Sequence, residues 1–150
     1  MTLRNFLLAW HIATHQNPRM AVALEQAIRG KDDLAPFQAE LKKRLTDQFS
    51  QQLIAAKHVP FMTYVDAAYP PRLREIPQPP LVLFYRGELG LLNQLTLGIV
   101  GSRRATGYSA TALAQLLPQL PSMVIASGLA AGADAMAHEA ALSARLPTIA

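Results

Sequence analysis

The stretch Leu97–Ser109 reads LGIVGSRRATGYS. A run of apolar, partly β-branched residues ends at Gly101, and a serine and two arginines follow at once. Leu95–Gly101 has the composition of a buried strand closed by glycine. Tyr108–Leu117 reads as a helix ended by Pro118. The stretch is therefore a strand, a short loop and a helix. Two adjacent cations where a buried strand stops suit an anionic partner, although loops are polar and arginine is common in them.

The same texture extends to both sides. Upstream, LVLFYRG (Leu81–Gly87) is apolar and bounded by proline and glycine, and reads as a strand. Downstream, SMVIASG (122–128) reads as another strand, and the alanine-rich Ala130–Ala144 as a helix. PTIA (147–150) begins a further strand. Alternating strands and helices predict a parallel α/β sheet, and continuous apolar runs fit strands buried on both faces. A doubly wound sheet seldom stops in mid-strand. The sequence thus reads as an N-terminal fragment of a longer protein, its sheet truncated.

Residues 1–58 have helical character. Leu3, Phe6, Leu7 and Trp10 form one stripe. Asn17 suits an N-cap and Pro18 the first helical position; that helix runs through Ile28 and stops at Gly30. Phe37–Ala56 reads as one longer helix, with Lys42, Lys43 and Arg44 as a solvated basic cluster. Val59–Pro80 carries six of the chain's eleven prolines, which excludes a long helix or a central strand. Val59–Tyr64 is a candidate short strand, and Arg72–Ile76 at most one helical turn. The expected organisation is a helical domain at 1–58, a proline-rich connector at 59–80 and an α/β domain at 81–150.

The 150 residues are 51% hydrophobic, so the chain is no disordered tail, and the net charge of +4 is compatible with nucleic acid without requiring it. With no cysteine, disulfides and thiolate chemistry are excluded. His11 and His15 stand four apart on one helix face, but no third ligand lies at a useful spacing, and no metal is expected. No apolar run reaches the ~18 residues of a membrane span. The N-terminal stretch is interrupted by histidines and lacks a cleavage pattern, so a cytoplasmic protein is expected.

In open α/β sheets ligands bind beyond the carboxyl ends of the strands. Two loops occupy that place: Gly101-Ser102-Arg103-Arg104, and Ser127–Asp134 with Gly128 and Gly132. Gly101 permits close approach, Ser102 and Ser127 offer hydroxyls, Arg103 can grip a phosphate bidentately, and each following helix offers N–H groups at its start. A plain turn would explain the same glycines, and Asp134 with His138 one turn later suits a structural pair. The dinucleotide fingerprint, the P-loop and the nucleophile elbow are all missing. No catalytic residue and no cofactor is assigned.

Three stretches together resemble the DNA processing protein A family, DprA or Smf. They are YPPRLREIPQPPLVLFYRGEL (69–89), LGIVGSRRATGYS (97–109) and IASGLAAGADAMAHEAAL (125–142). The resemblance spans about residues 60–150. It implies a Rossmann-like fold behind a small sterile-alpha-motif-like helical domain. It also implies binding and protection of single-stranded DNA, loading of the RecA recombinase during natural transformation, and a homodimer in the full-length family. Arg103 would be the leading phosphate contact and Arg104 a weaker one. Gly101 and Ser102 would shape the pocket, with Ser127, Gly128 and Gly132 lining it from the neighbouring loop. Ser109 departs from the family, which usually has glycine after the tyrosine. The family's dimerisation and RecA surfaces, and further DNA-contacting lysines, belong to a later part of the domain.

Two other readings compete. A nucleotide-binding enzyme, such as a nucleoside monophosphate hydrolase, would need an acid or base near the pocket, where Glu139 is the nearest glutamate. A protein-interaction module would use the N-terminal helices and keep the rest as scaffold.

Overall fold

Helix α1 (Leu3–Ala13) opens the chain, with Thr2 capping it by accepting a hydrogen bond from Asn5 N. Phe6, Leu7, Leu8, Ala9, Trp10 and Ala13 are all buried, so α1 is a core helix with more than one apolar face. The computed structural model describes residues 1–14, 17–44 and 46–150. Its two units are Met1–Gly87 and Glu88–Ala150.

In the first unit, α2 (Pro18–Gly30) starts as the sequence predicts: Asn17 Oδ1 accepts from Arg19 N and Met20 N. The expected long helix over 37–56 is instead two, α3 (Ala35–Lys43) and α4 (Asp47–Lys57). Thr46 causes the restart, since its Oγ1 accepts from Phe49 N at 3.1 Å. A threonine N-cap outweighs the apolar spacing that runs across the break. Leu24, Leu41 and Phe49 join α1 in one core, and Trp10 meets Phe37 edge to face at 5.5 Å.

The proline-rich segment packs with these helices. Strand β1 (Phe61–Thr63) pairs antiparallel with β2 (Val82–Phe84), and Phe61, Leu81 and Val82 enter the core around α1. The strand at Leu81–Gly87, expected in the parallel sheet, therefore belongs to this two-stranded ribbon. A short apolar run does not say which neighbour it pairs with. Between the strands lies the single turn α5 (Pro71–Arg74). Arg74 locks the segment: its guanidinium stands over Tyr64 and Tyr69 at 5.6 and 5.4 Å and donates to Asp66 O. Tyr69 is buried and its hydroxyl donates to Pro80 O at 2.8 Å; burial pushes its pKa up to about 12.

The second unit is the α/β part. After a 3-10 turn (Leu89–Asn93), β3 (Thr96–Gly98), β4 (Val124–Ala126) and β5 (Thr148–Ile149) form a parallel sheet in the order β3-β4-β5. Helix α6 (Gly107–Leu116) joins β3 to β4, and α7 (Ala133–Ser143) joins β4 to β5. Leu117, Ile125, Ala137 and Ala141 are fully buried between helices and sheet, with Leu97, Ile99 and Leu113 beside them. Alanines on α7 let it lie close to the strands. The helix starts at Ala133 instead of Ala130, because Gly132 has φ +86°, outside any right-handed helix.

Candidate nucleic-acid interface

Register Gly98↔Ala126 between the parallel strands β3 and β4 brings their following loops side by side. The loops are pinned to each other at two points. Ser127 Oγ donates to Ile99 O at 2.7 Å, and Ala133 N donates to Ser102 O at 3.0 Å. Between the pins the backbones touch. A Cβ on Gly132 would lie 2.4 Å from Ser102 O and 2.6 Å from Arg103 O. One on Gly101 would lie 2.7 Å from Ala133 Cβ. Glycine at 132 is thus required twice, by its positive φ and by the loop lying on it.

The site residues expected from the sequence divide into two groups. Gly101, Gly132 and Ser127 build the platform: the close approach at Gly101 is to α7, and the Ser127 hydroxyl proton is spent inside the protein. Gly128 is exposed, with Asp134 Oδ2 3.0 Å from where its Cβ would be. Ser102, Arg103 and Arg104 form the outward group, and all three are exposed. Ser102 Oγ accepts from Arg104 N at 3.0 Å, so its own O–H is left to donate outward. Among the described residues neither Arg103 nor Arg104 enters an ion pair.

The two helix N-termini are not equivalent. At α7 the first N–H groups are largely taken: Ala133 N by Ser102 O, Ala135 N by Ala130 O and Met136 N by Gly132 O. The buried Asp134 also occupies its first turn, where a carboxylate is favoured and competes with any incoming anion. The anion-binding role expected of that helix start is therefore already filled. Helix α6 begins at Gly107 with no side-chain cap, and of its first three N–H groups Ser109 N donates to Thr106 O at 3.0 Å, which leaves those of Gly107 and Tyr108 open. They follow directly on Arg103 and Arg104.

His138 pairs with Thr148, not with Asp134. Thr148 Oγ1 donates its one proton to Ile125 O at 2.9 Å and so accepts from His138 Nδ1 at 2.6 Å. This fixes the ring with its proton on Nδ1 and ties α7 to β5 and β4.

Electrostatics at the site are local. Glu88, Asp134 and Glu139 balance Arg103, Arg104 and Arg145, so the second unit is net neutral and the chain's excess of +4 lies in the first. Within the second unit, an anion at the loops meets the two adjacent arginines and no net positive charge besides. Sequence reasoning missed Val100 and Leu129, which are 83% and 65% exposed in the two paired loops; Tyr108 at the start of α6 is 82% exposed. The only signal for Val100 and Leu129 was their place just after the strand ends.

Among the described residues no His, Asp and Glu cluster could hold a metal ion. His11 packs edge to face on Phe84 at 5.7 Å, and burial holds its pKa below the ordinary value; His15 lies outside the described residues. No described helix is long and apolar enough to cross a membrane.

Comparison with known proteins gives a consistent result. The family model for DNA recombination-mediator protein A matches residues 60–150. The DNA processing protein DprA of Streptococcus pneumoniae is 40% identical over 92 residues, covering 61% of this chain and 33% of that protein. Protein Smf of Synechocystis is 35% identical over 133 residues, 85% of this chain and 31% of that protein. The chain thus spans about a third of the length of these relatives. The X-ray structure of DprA from Streptococcus pneumoniae superposes with a TM-score of 0.80 at 28% identity, covering 100% of this chain and 58% of that one.

Proposed function

The chain belongs to the DNA recombination-mediator protein A family, and we propose that its paired loops bind the phosphate backbone of single-stranded DNA as part of a recombination mediator. Arg103 is the principal contact, Arg104 a second, and Ser102 Oγ–H and the open N–H groups of α6 complete the anion site. One observation carries this reading. Two adjacent arginines, exposed and without an ion pair among the described residues, stand on a loop that a neighbouring loop holds by two hydrogen bonds. Pinned loops and free cations together make a phosphate cradle, and guanidinium groups match phosphate geometry.

At the level of the whole protein, the reading comprises protection of single-stranded DNA and loading of RecA during natural transformation, in the cytoplasm and by a homodimer. The site works by binding and not by bond cleavage: Glu139, the glutamate that an enzyme would call on, is exposed well along α7.

Fluorescence anisotropy with labelled oligo-dT of increasing length, and thymidine monophosphate as competitor, tests this. A polynucleotide site tightens with length, and the monophosphate displaces the oligomer only weakly. Saturable monophosphate binding that ignores oligomer length would overturn the reading in favour of a nucleotide enzyme.

A further inference from the structure

We propose that Val100, Leu129 and Tyr108 form an apolar rim that takes unstacked bases and so makes the site selective for an unpaired strand. The inference rests on the proposed reading of Arg103 and Arg104 as phosphate contacts. It adds what those arginines cannot supply, because phosphate contacts alone do not separate single from double strands.

Three observations converge. Val100, Tyr108 and Leu129 are 83%, 82% and 65% exposed, large apolar side chains standing in water. All three flank the cations: Val100 precedes Gly101, Leu129 follows Gly128 on the loop pinned alongside, and Tyr108 opens the helix into which the arginine loop runs. Finally, the exposure is enforced. Val100 lies between the pinned residues Ile99 and Ser102, and Leu129 between Ser127 and Ala133. Leu129 is also held at φ +54°, a left-handed conformation that disfavours a branched side chain. A leucine held there at a cost of about 1–2 kcal/mol recovers little of it by burial in the chain itself. Its apolar surface is spare for a partner.

The partner must combine anionic groups with flat apolar faces at close, regular spacing. A single strand does so, with its phosphates on the arginines and its bases on Tyr108 and the two aliphatic tips. Stacking on aromatic rings tolerates any base. A duplex turns its bases inward and offers the rim only backbone.

The test compares oligo-dT with an abasic oligomer of equal length and charge, in wild type, Tyr108→Ala, and the pair Val100→Ser with Leu129→Asn. Asparagine tolerates the left-handed backbone, so the fold is kept; urea unfolding checks this. Wild type is expected to bind oligo-dT about tenfold more tightly than the abasic strand. Each variant should shrink that ratio towards one while its affinity for the abasic strand stays unchanged. Equal binding of both oligomers by wild type overturns the rim and leaves the phosphate reading intact. Loss of abasic and dT binding together in the folded variants assigns these residues to the platform and also overturns the rim. Failure of wild type to bind either oligomer defeats the phosphate reading itself, and the rim with it.

Discussion

Replacing Gly132 by alanine probes the join on which the candidate site is built. Gly132 sits at φ +86°, ψ −128°, a region closed to residues with a side chain. Adopting it costs alanine roughly 1–3 kcal/mol. The new methyl would also stand 2.4 Å from Ser102 O and 2.6 Å from Arg103 O. Those are backbone atoms, so no rotamer change relieves the overlap, and the Ser102–Arg103 backbone must retreat. Retreat breaks the Ala133 N to Ser102 O hydrogen bond, about 1 kcal/mol more. The expected total is about 2–4 kcal/mol, read by urea unfolding with circular dichroism, together with weaker binding of oligo-dT by whatever fraction remains folded. Gly107→Ala is the control: a Cβ there meets nothing within 4 Å, so its stability should be unchanged or slightly raised. A Gly132→Ala protein as stable as wild type, with unaltered oligo-dT affinity, would refute the claim that this glycine supports the arginine loop.

Further outcomes follow from the two units separately. Burial holds the His11 pKa below 6.5, so the unfolded chain takes up the proton first and stability falls as pH drops below about 6.5; His11→Gln should remove that dependence in acid-unfolding curves. Tyr69, with its pKa pushed up to about 12, has the opposite sense. The unfolded tyrosine loses its proton from about pH 10, so stability present below that pH declines as pH rises towards 12, and Tyr69→Phe should flatten this alkaline limb. His138 should show its proton on Nδ1 in nitrogen-15 NMR of the ring. Thr148→Val, which strips both hydrogen bonds from that junction, should destabilise by about 1–3 kcal/mol.

What the sequence made legible tracks local chemistry. Asn17 and Pro18 mark a helix start because capping is decided within four residues. The runs at 95–101 and 122–128 reveal buried strands because their apolar character is continuous. Pairing is a different matter: Val82–Phe84 looks like the strand at Thr96–Gly98, yet one joins an antiparallel ribbon and the other a parallel sheet. That choice depends on the helices each packs against. In the paired loops, the outward placement of Ser102, Arg103 and Arg104 agrees with their type and their position after a strand. The inward roles of Ser127 and Gly132 were not, since a hydroxyl or a glycine in a loop does not reveal whether it faces a ligand or the neighbouring loop. The filled N-terminus of α7 escaped for the same reason, because its first donor is satisfied by Ser102 O, distant in sequence.

The most direct test of the central claim is the salt dependence of oligo-dT binding in wild type beside Arg103→Ala. Each phosphate contact on a single strand contributes about −0.7 to the slope of log affinity against log salt. The account predicts that Arg103→Ala binds more weakly at low salt and loses about one such increment of slope, because one phosphate contact is removed. Identical affinity and slope in the two proteins would contradict it, and would move the DNA contact away from the loop after β3.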